Sequence, residues 1–235
     1  MSVTLDSRGT RFFFLVWLLT LLTPAALPLP LRAETIQLGD SHLWSKRFGS
    51  TSFDQGYGVA VDDSGNVVVT GSFNGTVNFG GGGLNSAGSF DIFVAKFSGA
   101  EGSHLWSKRF GSTSDDWGRG VAVDGSGNAV VTGSFLGTVD FGGGGLSSGG
   151  GYYDLFVAKF SGADGSHLWS KRFGSTYEDE GLGVAVDGSG NVVVTGYFNG
   201  TVDFGGGGLT SAGNDDIFVV KLGAFARRRG QLISD

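Results

Sequence analysis

Residues 41–51 read SHLWSKRFGST, and the same residues recur unchanged at 103–113 and 166–176. The copies start 62 and then 63 residues apart, and the segments between them recur in the same order. A period that long, made of short apolar runs and Gly-rich turns, marks units that bury their faces against one another. The first copy divides into His42–Phe48 (HLWSKRF), Gly58–Asp62 (GVAVD), Asn66–Phe73 (NVVVTGSF), Thr76–Phe79 (TVNF) and Asp91–Phe97 (DIFVAKF). The polar Asp63-Ser64-Gly65 between two Val-rich runs is a hairpin signal. Nothing shows a helical period of ten or more residues, and glycine recurs too often to allow one. The chain reads as all-β.

Short strands joined locally at a fixed period predict a β-propeller-like array of three four-stranded blades, with repeats at about 42–103, 104–166 and 167–222. GVAVD should lie innermost, then NVVVTGSF, DIFVAKF and HLWSKRF, with TVNF and its glycines as an excursion. The phase matters. HLWSKRF at 42–48 has no DIFVAKF before it, and DIFVVKL at 216–222 has no HLWSKRF after it. The N-terminal strand is therefore a candidate to close the last blade beside DIFVVKL. A linear β-solenoid, which needs no closure, is the alternative.

Among the 235 residues are 45 Gly and no Cys, which removes disulfides, thiol catalysis and Cys-based metal sites. A net charge of −6 argues against nucleic acid or an anionic membrane as the partner. Arg8 and Arg11, the apolar run Phe12–Leu22, and Leu31-Arg32-Ala33 follow the order of a secretory signal peptide. Residues 1–33 are read as that signal, cut after Ala33, so the expected location is extracellular or at the cell surface. An uncleaved segment would be the one route to a membrane. The stretch 224–235, ending ARRRGQLISD, leaves the repeat and reads as an irregular basic tail.

The series D-[IL]-F-V-[AV]-K-[FL], then L-W-S-K-R-F-G, then D-x-G-x-G-V-A-V-D-x-S-G-N-x-V-V-T-G resembles the SBBP repeat, the bacterial β-propeller repeat of secreted and cell-surface proteins. The resemblance implies the propeller fold and no shared catalytic motif. The family's name implies seven blades, and three leave a ring open, because propellers have about four to eight. Two copies building a six-bladed homo-oligomeric ring, a dimer in solution, is one way out, and a fragment of a longer array is the other.

Identical residues serve the blade, so recognition is sought where copies differ. After the constant GST the copies read SFDQGYG, SDDWGRG and YEDEGLG. Asp54, Asp116 and Asp179 stay constant, which suggests a turn cap. Around them vary Phe53/Asp115/Glu178, Gln55/Trp117/Glu180 and Tyr57/Arg119/Leu182, the candidate ligand-binding residues, with Trp117 and Arg119 first among them. Drift in exposed loops is the competing explanation. Glu178-Asp179-Glu180, an unrepeated acidic cluster, reads as a solvated loop rather than a catalytic pair. The histidine column (His42, His104, His167) and the FGGGG runs read as structural. At the Asp62–Asn66 turn, a hairpin is favoured over weak calcium binding. The Trp column (Trp44, Trp106, Trp169) reads as packing, with a sugar-stacking platform as the alternative. No cofactor or metal is implied. The expected function is a non-catalytic binding or scaffold module for a protein or glycan; a lectin is the alternative and a polysaccharide-active enzyme a more distant one.

Overall fold

A computed structural model describes residues 41–224, so the signal-peptide reading of 1–33 and the tail from Phe225 onward lie outside it. The described residues form strands and turns only. In the first sheet β1 (Asp54–Val61), β2 (Val67–Phe73), β5 (Asp91–Phe97) and β6 (His104–Phe110) lie in the order β1-β2-β5-β6. The second repeats it with β7 (Asp116–Val123), β8 (Ala129–Phe135), β11 (Asp154–Phe160) and β12 (His167–Phe173). The third holds β13 (Asp179–Val186), β14 (Val192–Phe198) and β17 (Asp216–Leu222). This is the strand order read from the sequence, with the outer strand of each blade donated by the next copy. TVNF and its glycines form satellite hairpins, β3 (Thr76–Asn78) with β4 (Gly83–Asn85), and likewise β9 (Thr138–Asp140) with β10 (Gly145–Ser147) and β15 (Thr201–Asp203) with β16 (Gly208–Thr210).

The apolar runs are continuous because both faces of a blade are covered. Every residue of β5 is buried. Its Ile92 and Val94 join Val68 in one cluster with Val131, Phe135 and Phe156 of the second blade. Its Phe93, Ala95 and Phe97 face the other way, against Phe48, Phe73 and Phe79. Blades two and three meet through the equivalent residues, Val130, Leu155 and Val157 against Val194, Phe198 and Phe218. The inner strands come together at glycines. A Cβ on Gly58 would lie 3.0 Å from the Arg119 carbonyl oxygen, and one on Gly120 would lie 2.9 Å from that of Leu182. Each ladder among these strands is antiparallel, whereas coils of a solenoid would stack parallel.

The closing strand departs from expectation. Residues 42–48 form no ladder and do not join β17, so the third sheet has three strands among the described residues. They lie instead on the first blade. Phe48 packs on Phe79 and Phe97 with ring centroids 5.2 and 5.0 Å apart, and Trp44 Nε1 donates to the Gly99 carbonyl at 2.8 Å. The outer strand β6 meets the second blade in the same way: Phe110 packs on Phe141 and Phe160, and Trp106 Nε1 donates to the Gly162 carbonyl. Residues 42–48 thus behave as the outer strand of a blade preceding the first. Two intervening blades separate them from β17, which is why they do not close the sheet within one chain.

Candidate functional site

The constant aspartates hold the loops that enter the inner strands. Asp116 accepts from the Ser112 and Leu136 backbone N–H groups at 2.6 and 3.1 Å, and Asp179 accepts from those of Ser175 and Asn199 at 2.6 and 3.2 Å. Asp54 accepts from Ser50 N at 2.6 Å. Burial, opposed by these bonds and reinforced by the Asp91 charge, pushes Asp116 up to about 7. Burial likewise lifts Asp179 to about 6, with the Asp154 charge adding to the rise.

Immediately after each aspartate the inner strand bulges. The ladder register slips between Gly56 and Gly58, between Gly118 and Gly120, and between Gly181 and Gly183. The unpaired residue is Tyr57 in the first blade, Arg119 in the second and Leu182 in the third. A β-bulge re-aims a side chain out of the regular ladder, and such bulges gather beside binding sites. The D-x-G-x-G spacing is the sequence form of this device. It also lengthens the strand: the segment expected to lead into GVAVD is itself paired from Asp54 onward.

The bulges bring most of the divergent positions together. The Arg119 guanidinium lies 4.6 Å over the Tyr57 ring and 4.9 Å over Trp117, and Arg119 Nε donates to Glu180 Oε1 at 2.5 Å. One arginine therefore links three blades. Glu180 Oε1 also accepts from Ser134 Oγ at 3.3 Å, and Tyr197 Oη contacts Glu180 Oε2 at 2.8 Å and Glu178 Oε1 at 3.0 Å. Burial, then those two carboxylates, raises the Tyr197 phenol above its ordinary value. Gln55 accepts from the Tyr57 hydroxyl, and Asp115 accepts from Phe90 N at 3.2 Å. Phe53 and Leu182 stand exposed, outside this network. The acidic cluster differs from its reading as a solvated loop. Asp179 and Glu180 are buried, because one caps the turn and the other meets Arg119; only Glu178 is exposed.

Residues not singled out by sequence complete this end of the sheets. Phe90 stacks on Trp117 at 4.7 Å, Tyr153 lies beside Trp117, and Tyr152 packs beside Tyr177 at 6.2 Å. All five tyrosines of the chain sit here, with the one described tryptophan outside the repeated column. A signal was present: the residue that makes the second spacing 63 falls beside Tyr152-Tyr153, and Tyr197 replaces the serine of Gly-Ser-Phe.

Individual members of the repeated columns pack within the blades. His104 covers the first glycine hairpin, where a Cβ on Gly80 would stand 2.7 Å from its own Cβ. In the hairpin turn, Asp62 Oδ1 accepts from Ser64 N and Asn66 N, and Gly65 adopts a φ of +80° that favours glycine. The Lys96 ammonium sits 2.8 Å from Asp62 Oδ2, where a calcium ion would need that oxygen. Burial raises the Asp62 carboxyl, but Lys96 and the Asn66 bonds outweigh it and hold it at about 2. Trp106 is buried and hydrogen-bonded, with no ring face free for a sugar.

The Beta-propeller repeat model, SBBP, matches residues 43–77 and 105–134, each match running from the outer-strand segment through the bulge into the second strand. An uncharacterised WD repeat-containing protein of Acanthamoeba polyphaga mimivirus is 28% identical over 111 residues, which cover 40% of this chain and 8% of that protein. The chain thus spans less than a tenth of that relative's length. Two stretches of the chain thus match the SBBP β-propeller repeat, and a third copy repeats their strands and bulge.

Proposed function

We propose that this chain is a non-catalytic binding module whose bulged, tyrosine-rich end takes a protein segment bearing basic residues. What carries the reading is that most positions differing between copies converge on one surface, while identical positions pack the blades. Tyrosine and tryptophan supply rigid contact area with a polar tip and dominate protein-recognition surfaces. Tyr57, Tyr152 and Tyr177 are exposed here, and the exposed Glu178 gives the surface a negative charge. The tryptophan a lectin would present here, Trp117, is covered by Phe90 on one side and approached by Arg119. For catalysis, Glu180 is poorly placed, since both its oxygens are already engaged. An exported location rests on the leading segment with Arg8, Arg11 and Phe12–Leu22.

The test is to pan a random peptide display library on the immobilised chain. Lys/Arg-rich binders are expected, weakening with salt. Tyr152→Ala and Tyr177→Ala, both at exposed positions, should each weaken them by about 2 kcal/mol, a hot-spot effect. Binders indifferent to both substitutions would defeat the proposal. Glycan-array binding that the same substitutions abolish would replace it with the lectin reading.

A further inference from the structure

We propose that the ring is completed by a second copy of this chain, the β17 of each copy pairing with residues 42–48 of the other. The proposal does not depend on the binding reading above. It rests on the two open ends of the array, which carry the two halves of the interface already formed twice inside it.

On the first blade, an open groove of about 340 Å³ is lined by Phe48, Val69, Phe73, Phe79, Phe93 and Phe97. The equivalent residues of the second blade enclose Val68, Ile92 and Val94 of its neighbour. The third blade offers the matching side chains uncovered: Ile217 and Val219 are 83% and 70% exposed, whereas their equivalents Ile92, Val94, Leu155 and Val157 are fully buried. Pairing would remove two such apolar side chains from water at each of two symmetric junctions.

Polar groups repeat the same mismatch. Lys96 bonds Asp62 within its blade and the Gly162 carbonyl of the next, at 2.9 Å. Lys221 keeps the first contact, to Asp187 at 2.7 Å, yet its side chain is 58% exposed. The Gly99 carbonyl of a second copy would serve as its missing acceptor. Arg109 and Arg172 of the outer strands pair with Asp91 and Asp154. Arg47 and Asp216 are the equivalents left at the open ends. Copying the β5–β6 register, in which Val94 faces Lys108, places Val219 opposite Lys46 of the partner copy. Two copies of the described array make six blades, within the range that closes; three would make nine, outside it.

The chain has no cysteine, so a cross-link reports directly. Lys46→Cys combined with Val219→Cys is expected to oxidise to a species of twice the chain mass, and the unmodified chain should scatter light as a dimer. An intrachain disulfide, a monomer that stays reduced, or a ladder of larger species would overturn the proposal. Because oxidation alone can trap chance encounters, Ile217→Asp with Val219→Asp supplies the second arm. That variant should keep its strand circular dichroism and raise the dimer dissociation constant at least a hundredfold. An unchanged dimer would mean another surface is used, and the proposal would fall.

Discussion

Asp116 is the residue at which local architecture and charge conflict most. It must reach Ser112 N and Leu136 N to hold the loop before the bulge, and to do so it is fully buried near Asp91. Its carboxyl titrates near 7 in the fold against an ordinary value of 3.8, and Asp179 near 6. A raised pKa means that the fold favours the protonated form. That advantage is complete below about pH 4 and is lost as pH rises through 6 and 7. Asp62 and Asp124, held at about 2 with Lys96 and Lys159 as partners, act oppositely: their contribution is present above about pH 4 and lost toward pH 2. The melting temperature should therefore peak near pH 4–5 and decline toward pH 8. Asp116→Asn should flatten that decline whatever it does to the absolute value. Calorimetry showing a flat or rising profile from pH 5 to 8 in the parent chain would refute the assignment.

At the scale of the element, the bulge depends on a glycine across the ladder. Gly133 faces Gly118 on β7, and a methyl on it would overlap the Trp117 carbonyl oxygen and lie 2.9 Å from the Phe156 ring. Gly133→Ala should cost about 3 kcal/mol, the upper end of overpacking, because the clash is with backbone rather than a mobile tip. Gly125→Ala, with nothing nearby, should be neutral in the same urea titration. Equal effects would show that the bulge tolerates a side chain. The strands and their order were legible because Val-rich runs, turn residues and copy number all agree, and D-x-G-x-G marks the inner strand. The site was half legible. Gln55, Tyr57, Trp117, Arg119 and Glu180 stood out as differences between copies, but Phe90, Tyr152 and Tyr177 sit in loops beyond the inner strands. Their approach to those strands depends on how blades pack, which no local pattern encodes. The burial of Glu180 was hidden for the same reason, since its partner Arg119 lies 61 residues away.

At the scale of the whole molecule, the third sheet has no outer strand beside β17 among the described residues, and the proposed pairing with a second copy would tie stability to concentration. If folding of the end blades is coupled to pairing with a second copy, the melting temperature rises with chain concentration, because association binds the folded form alone. A tandem chain removes that dependence. Continuing from Leu222 through the linker Ser98–Ser103 into a second run of 42–222 reproduces the spacing of the internal copies. Such a chain carries six blades and one orphan strand, which can now reach its β17 partner within the same molecule. It should be monomeric, melt at a temperature independent of concentration, and exceed the parent most at high dilution. The parent should gain about 1.4 kcal/mol for each tenfold rise in concentration once association governs melting. A tandem chain that itself dimerises would show that the wedge angle does not close at six. A parent whose melting ignores concentration would show that its blades stand without a partner.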